Sequence, residues 1–235
     1  MFENIYLFLR PYYVELILLF IISYLIGSIN FSIIVTKLKK MEDIRTVGSG
    51  NAGFTNVLRS VGVGPAIITF VGDFLKGVLA VYLSRLIIQI NPLATSDMFI
   101  LKYSAYLSGF ACLLGHLYPC FFRFQGGKGI LTSWAVTLLI DYRIFFLTIS
   151  IFLVVLVISK IVSLGSLAAA ISYPAVILFG TYFLDCGEKL NITYVLMCTG
   201  ISFLVGAIVV YKHIPNIKRL LNGTEKKISR KRKGE

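Results

Sequence analysis

The chain has 235 residues, 57% of them hydrophobic and 14% charged, with a mean hydropathy of +0.84 and a formal net charge of +12. A soluble domain carries about 25% charge, so the deficit assigns the chain to the bilayer. The basic residues flank apolar runs instead of lining a soluble domain, which argues against nucleic acid as a partner and for the loops of a membrane protein.

A helix needs about 20 apolar residues to cross the hydrocarbon. In chain order the full-length candidates are 13–36, 64–88, 99–118, 143–159, 162–183 and 192–211, with a short apolar segment at 129–140. The first run is too long for a signal-peptide core and lacks a basic flank and a cleavage site, so it reads as a retained span. Counting the short segment as a partly penetrating helix lets the charge bias alternate. One side then collects KLKKMEDIR, the Arg123–Lys128 loop, Lys160 and everything from Lys212 onward. The positive-inside rule makes that side cytoplasmic. The expectation is an all-α, polytopic membrane protein of about seven transmembrane helices, N-terminus outside and C-terminus cytoplasmic. Residues 1–225 form one domain, and 226–235 are a basic tail that lies against anionic lipid.

The polar motifs gather at that boundary. VGSGNAGFTNVLR follows the basic loop; Gly48, Gly50 and Gly53 let the backbone approach a ligand closely. A short helix beginning near Asn51 would aim its free N–H groups at an anion and put Asn51, Thr55 and Arg59 on one face. Its bland reading is a flexible loop with a capping residue. Asp73 and Lys76, inside an apolar run, pair at i,i+3, either as a structural ion pair or in support of a site. GHLYPCFFRFQGGKGILTS opens a helix after Gly126, Gly127, Lys128 and Gly129, again with positive dipole at its start. It is not a Walker A loop, because Phe122 stands at the first glycine position and Gly129 follows the lysine. SLGS, from Ser163 to Ser166, serves helix packing as readily as a site. His213 and Asn216 share a face beyond the last span, which alone would also suit a juxtamembrane basic helix.

Absences narrow the chemistry. Phe121 lies five residues after His116 and Lys218 five after His213, so no H-x-x-x-x-D acyltransferase pair exists, and there is no G-x-S-x-G elbow. Four cysteines without CxxC spacing and two histidines give no basis for a disulfide framework or a bound metal.

Taken in order, GSGNAGFTNVLR, DFLKG, GHLYPCFFRFQGGKG and the closing H-x-x-N-I-x-R-L-x-x-G-x-E (His213 to Glu225) resemble the bacterial acyl-phosphate:glycerol-3-phosphate acyltransferases. The resemblance spans the chain almost end to end. It implies a multi-pass enzyme of the bacterial inner membrane, its site facing the cytoplasm. The enzyme would transfer an acyl group from acyl phosphate to the 1-hydroxyl of glycerol-3-phosphate without any cofactor or metal. By match to the family pattern, Ser49, Arg59, Lys128, His213 and Asn216 are the expected catalytic residues. Gly48, Gly50, Asn51, Thr55, Gly126, Gly127, Gly129 and Ser166 line the phosphates, and Asp73, Lys76, His116, Arg219 and Glu225 support them. His116, His213 and Glu225 are three candidate proton acceptors. Departures from the pattern are Asn30 for Pro, Phe54, Leu131 and Ala135. The competing class is a transporter or exchanger for a phosphorylated metabolite, which would place its site at the midplane between repeats.

Overall fold

The computed structural model describes residues 2–40, 42–95, 97–185 and 190–227; the loop around Glu188 and the tail from residue 228 lie outside them. The described chain is helical throughout. In order come α1 (Phe2–Leu9), α2 (Tyr13–Ser28), α3 (Phe31–Lys40), α4 (Phe54–Ser60), α5 (Val63–Ile88) and α6 (Met98–Leu117). Then follow α7 (Ile130–Ile140), α8 (Tyr142–Ser159), α9 (Val162–Phe179), α10 (Ile192–Lys212) and α11 (Ile214–Leu221). Among the described residues six candidate spans are long and apolar enough to cross a membrane, with α7 as a shorter apolar helix. At 1.5 Å per residue α7 is roughly 17 Å long, about half the hydrocarbon thickness and too short to cross alone.

Several helices start at side-chain caps. The Asp97 carboxylate accepts from the amides of Phe99 and Ile100, Asp141 caps α8 through Arg143 N, and Asn191 caps α10 through Tyr194 N. Each cap faces the end of the bundle away from the glycine loops. At that far end Asp185 gathers Lys102, Arg143 and Tyr194, tying α6, α8 and α10 to the π-helical continuation of α9 at Gly180–Asp185. N-terminal α1 lies there too, since Asn91 Nδ2 donates to Pro11 O at 2.7 Å. The chain therefore starts at one end and leaves α10 at the other.

Packing in the bundle depends on close backbone approach. A Cβ on Gly27 of α2 would sit 2.0 Å from Cys112 O on α6, and one on Gly115 of α6 would sit 2.1 Å from Tyr24 O. Small residues at such crossings are how helices associate where lipid tails remove the hydrophobic drive between them. Between these contacts, Ser23 and Ser108 hydroxyls meet at 2.7 Å, and Ser108 donates to Ala80 O on α5. Pro174 in α9 offers no N–H to Ala170 O, and Gly206 of α10 comes up against that carbonyl.

One expectation is corrected. The apolar run 13–36 is not one helix but two, broken at Ile29–Asn30. The fully buried Asn30 starts α3 by accepting from Ile33 N at 3.2 Å and Ser32 Oγ at 2.6 Å. The carbonyls of Gly27 and Ile29 at the end of α2 turn to Lys76 Nζ, each at 3.1 Å. A polar group within the bundle, not any weakness of hydropathy, breaks the span.

Gly27→Ala should lower the melting temperature of the detergent-solubilised protein, because an oversized contact of this kind costs roughly 1–3 kcal/mol. Gly200→Ala, where the added Cβ meets nothing within 4 Å, is the control and should leave it unchanged or slightly raised.

Candidate functional site

Asn56 organises the first glycine stretch. Its side chain, buried at the start of α4, accepts from Ser49 N (2.9 Å) and donates to Ile44 O (3.2 Å) and Val47 O (2.9 Å). Gly48 packs so closely on it that a Cβ there would be 2.3 Å from Asn56 Oδ1, and its φ of +63° is one that a side chain resists. Gly50 N turns inward to Val47 O. The amides of Ser49 and Gly50 are thus engaged within the loop, while the side chains of Ser49, Thr55 and Arg59 stand exposed. Among the described residues Arg59 has no ion-pair or hydrogen-bond partner.

α4 begins at Phe54, with extended Gly53 as its N-cap, so Asn51 precedes the helix and does not share a helical face with Thr55 and Arg59. The expected three-residue stripe is reduced to two.

The second stretch is folded onto the end of α6. Gly126 N donates to Leu117 O and Gly127 N to His116 O, both at 3.2 Å. Gly129, at φ +78°, caps α7 as expected. Arg45 joins the two stretches: held by Asp43, its Nη1 donates to Phe122 O at 2.8 Å and Gln125 O at 3.3 Å. They also touch at Gly127, where a Cβ would lie 2.4 Å from Ala52 O.

A third group closes the site from the C-terminal side. Lys128 Nζ donates to Asn216 Oδ1, and Asn216 Nδ2 donates to Glu225 Oε1 at 2.7 Å. Glu225 also accepts from Ser163 Oγ (2.7 Å) and Arg219 Nε (2.6 Å). Burial works to raise the Glu225 carboxyl, but the hydrogen bonds from Ser163, Asn216 and Arg219 outweigh it and hold the group below the ordinary range. Burial, and then Arg219, pushes the Lys128 ammonium down to about 8 against the upward pull of Glu225. His213 is buried, which lowers it to about 4. Its Nδ1 lies 2.8 Å from Val209 O, an acceptor only, so Nδ1 carries the proton and Nε2 a free lone pair.

Comparison with known proteins places this arrangement. Residues 17–223 match the family described as glycerol-3-phosphate acyltransferase. Proteins so named from Bordetella pertussis and Clostridioides difficile are each 38% identical, over 91% and 92% of this chain and 92% and 97% of theirs. A crystal structure of PlsY (YgiH), an integral membrane glycerol 3-phosphate acyltransferase, in its glycerol 3-phosphate form superposes with a TM-score of 0.70. It is 33% identical and covers 91% of this chain and 96% of that one. The chain belongs to the glycerol-3-phosphate acyltransferase family.

Within this acyltransferase scaffold the structure brings Lys128, Asn216, Arg219 and Glu225 into one network, Gly127 against the first loop, and Gly126 and Gly127 onto His116. Ser166 stays apart from that network. It donates to Val162 O and lines a small, open apolar pocket with Ile130, Trp134, Ala169 and Val205. Asp73 and Lys76 pair at 2.9 Å in the buried bundle. Arg45 and Asn56 escaped the sequence reading, which weighed Ser163 only as part of SLGS. The second asparagine of GNAGFTN was the available signal for Asn56, and the first serine of SLGS for Ser163.

Lys128 titrates below the ordinary lysine value of about 10.4, so the native state gives up its proton first, from about pH 8 upward. Over that window stability gains from the relieved burial of charge, while affinity for an anion is lost. Sulfate, whose charge is constant there, should protect the acyltransferase from thermal unfolding less effectively as pH rises through about 8. In Lys128→Met the weaker protection should be independent of pH.

Proposed function

We propose that the protein transfers an acyl group from an acyl phosphate to the 1-hydroxyl of glycerol-3-phosphate, giving 1-acyl-glycerol-3-phosphate and inorganic phosphate. An acyl phosphate is a mixed anhydride and already activated. The hydroxyl oxygen adds to the acyl carbon, the C–O bond to phosphate breaks, and the hydroxyl proton ends on the departing phosphate. No acyl-enzyme is required, which agrees with the missing H-x-x-x-x-D pair and G-x-S-x-G elbow. The protein's contribution is orientation and charge stabilisation.

The observation that carries this reading is an excess of cations at one end of the bundle. Arg59 is unpaired among the described residues, and the bonded partner of the Lys128 ammonium is a neutral amide oxygen. Two phosphate-bearing substrates need such groups. In this reading Ser49, Arg59, Lys128, His213 and Asn216 act on the substrates, and the α7 N-terminus adds positive dipole beside Lys128. Neutral His213, with its Nε2 lone pair, suits the hydroxyl better than Glu225, whose oxygens already accept three hydrogen bonds. In this reading the small apolar pocket beside Ser166 receives part of the acyl chain. A metabolite carrier has less support, since family membership indicates acyl transfer and the polar motifs sit at one end, not the midplane.

Glycerol-3-phosphate as a cytosolic metabolite puts the Lys128 end on the cytoplasmic face of a bacterial inner membrane. Single cysteines replacing exposed Lys39 and Leu93, in a background without native cysteines, should be labelled from the cytoplasmic and the opposite side respectively. The reverse pattern would overturn the orientation.

Purified protein given acyl phosphate and glycerol-3-phosphate should release phosphate and lysophosphatidic acid, and acyl-CoA should not substitute. Equal rates with acyl-CoA would sink the donor assignment. Arg59→Lys keeps the charge but not the two-pronged guanidinium geometry. A charged hydrogen bond is worth about 1.5–3 kcal/mol, so kcat/KM should fall roughly ten- to a hundredfold with the melting temperature unchanged.

A further inference from the structure

His116 faces three neighbours at once, and together they define what it does. Lys76 Nζ lies 2.7 Å from His116 Nδ1, 2.9 Å from Asp73 Oδ1, and 3.1 Å from the carbonyl oxygens of Gly27 and Ile29. An ammonium only donates, and its three N–H groups go to Nδ1 and the two carbonyls, with Asp73 Oδ1 beside it as counter-charge. His116 Nδ1 therefore holds a lone pair and the imidazole proton sits on Nε2. On the other side of the ring, Nε2 and Ala52 O each lie 2.4 Å from the position a Gly127 Cβ would occupy. His116 O accepts from Gly127 N, and a Cβ on Gly126 would be 1.9 Å from that same oxygen. The residue's carbonyl bonds the second loop and its ring packs against Gly127, at the point where the first loop touches it.

We propose that His116 is a positioning residue whose Nε2–H, oriented by the Lys76 ammonium, sets the register of the Gly126–Gly129 loop against the Gly48–Ala52 loop. Lys128 and Arg59 then address the same substrate phosphates. The geometry argues against a proton-acceptor role: with Nδ1 accepting from Lys76, Nε2 carries the proton, and a second one would place an imidazolium 2.7 Å from an ammonium, with Asp73 Oδ1 farther off at 3.7 Å. This inference rests on the acyl-transfer reading above.

Two substitutions separate the ring's two faces. Asparagine reaches as far as Nδ1 and keeps an acceptor for Lys76, but leaves nothing at the Nε2 position beside Gly127. Glutamine carries an N–H to the Nε2 position and leaves Lys76 without its Nδ1 acceptor. His116→Asn should therefore keep its melting temperature and lose roughly ten- to a hundredfold in kcat/KM, with a raised KM for glycerol-3-phosphate. His116→Gln should melt lower yet recover most of that loss per folded molecule. Gly127→Ala, which wedges the same joint, should reproduce the kinetics of His116→Asn and decides the matter if the histidine variants do not fold. Loss of activity in proportion to stability in both histidine variants, or unchanged KM in His116→Asn or Gly127→Ala, would overturn the proposal. An inactive parent protein would instead sink the acyl-transfer reading.

Discussion

An ammonium group inside a membrane-embedded bundle must be given acceptors, because ionisable residues there are costly unless paired. Lys76 is almost wholly buried, and much of the architecture around it follows from meeting that demand. Asp73, one helical turn earlier on α5, supplies the counter-charge. The carbonyls of Gly27 and Ile29 become available only because α2 stops there. The break in the first span, Asn30 capping the next helix, and the tautomer of His116 are linked consequences of one charge. Gly27 and Gly115 then hold α2 so close to α6 that this geometry cannot relax by sliding the helices apart.

The membrane architecture was legible in the sequence because lipid imposes a severe rule. Backbone polar groups must be satisfied within helices, so apolar length translates almost directly into spans. The limits of 64–88 and 192–211 accordingly lie within one residue of α5 and α10. The α2–α3 break was not legible for the opposite reason: its cause, Lys76, is 47 residues away from Ile29. The start of α4 was misplaced because Asn51 is as good a capping residue as Gly53, and the choice is made by Asn56 gathering the loop from inside. Charge counting grouped Arg45 with the surrounding lysines. It cannot distinguish a solvated cation from one clamped between Asp43 and two carbonyls of a loop some 80 positions on.

The site itself was legible as residue types and not as a wiring diagram. Lys128, Asn216, Arg219 and Glu225 were all named from the pattern, but nothing in their spacing tells which touches which. Ser163 and Ser166 lie three apart on α9, close enough in angle that either could face the same group. The chain resolves this by sending Ser163 to Glu225 and Ser166 to its own helix backbone and the apolar pocket.

The order of that wiring matters electrostatically. A carboxylate in direct contact with Lys128 would neutralise the charge that an anionic substrate requires. Asn216 stands between them, accepting from Lys128 through its oxygen and donating to Glu225 through its nitrogen. Glu225 thereby fixes the amide, and through it the lysine, without contacting the ammonium. Arg219 and Ser163 also donate to Glu225 and, with Asn216, hold its carboxyl below the ordinary range against the pull of burial. The carboxylate serves as an anchor for a cation it does not touch, and Lys128 is held in place while its charge stays available.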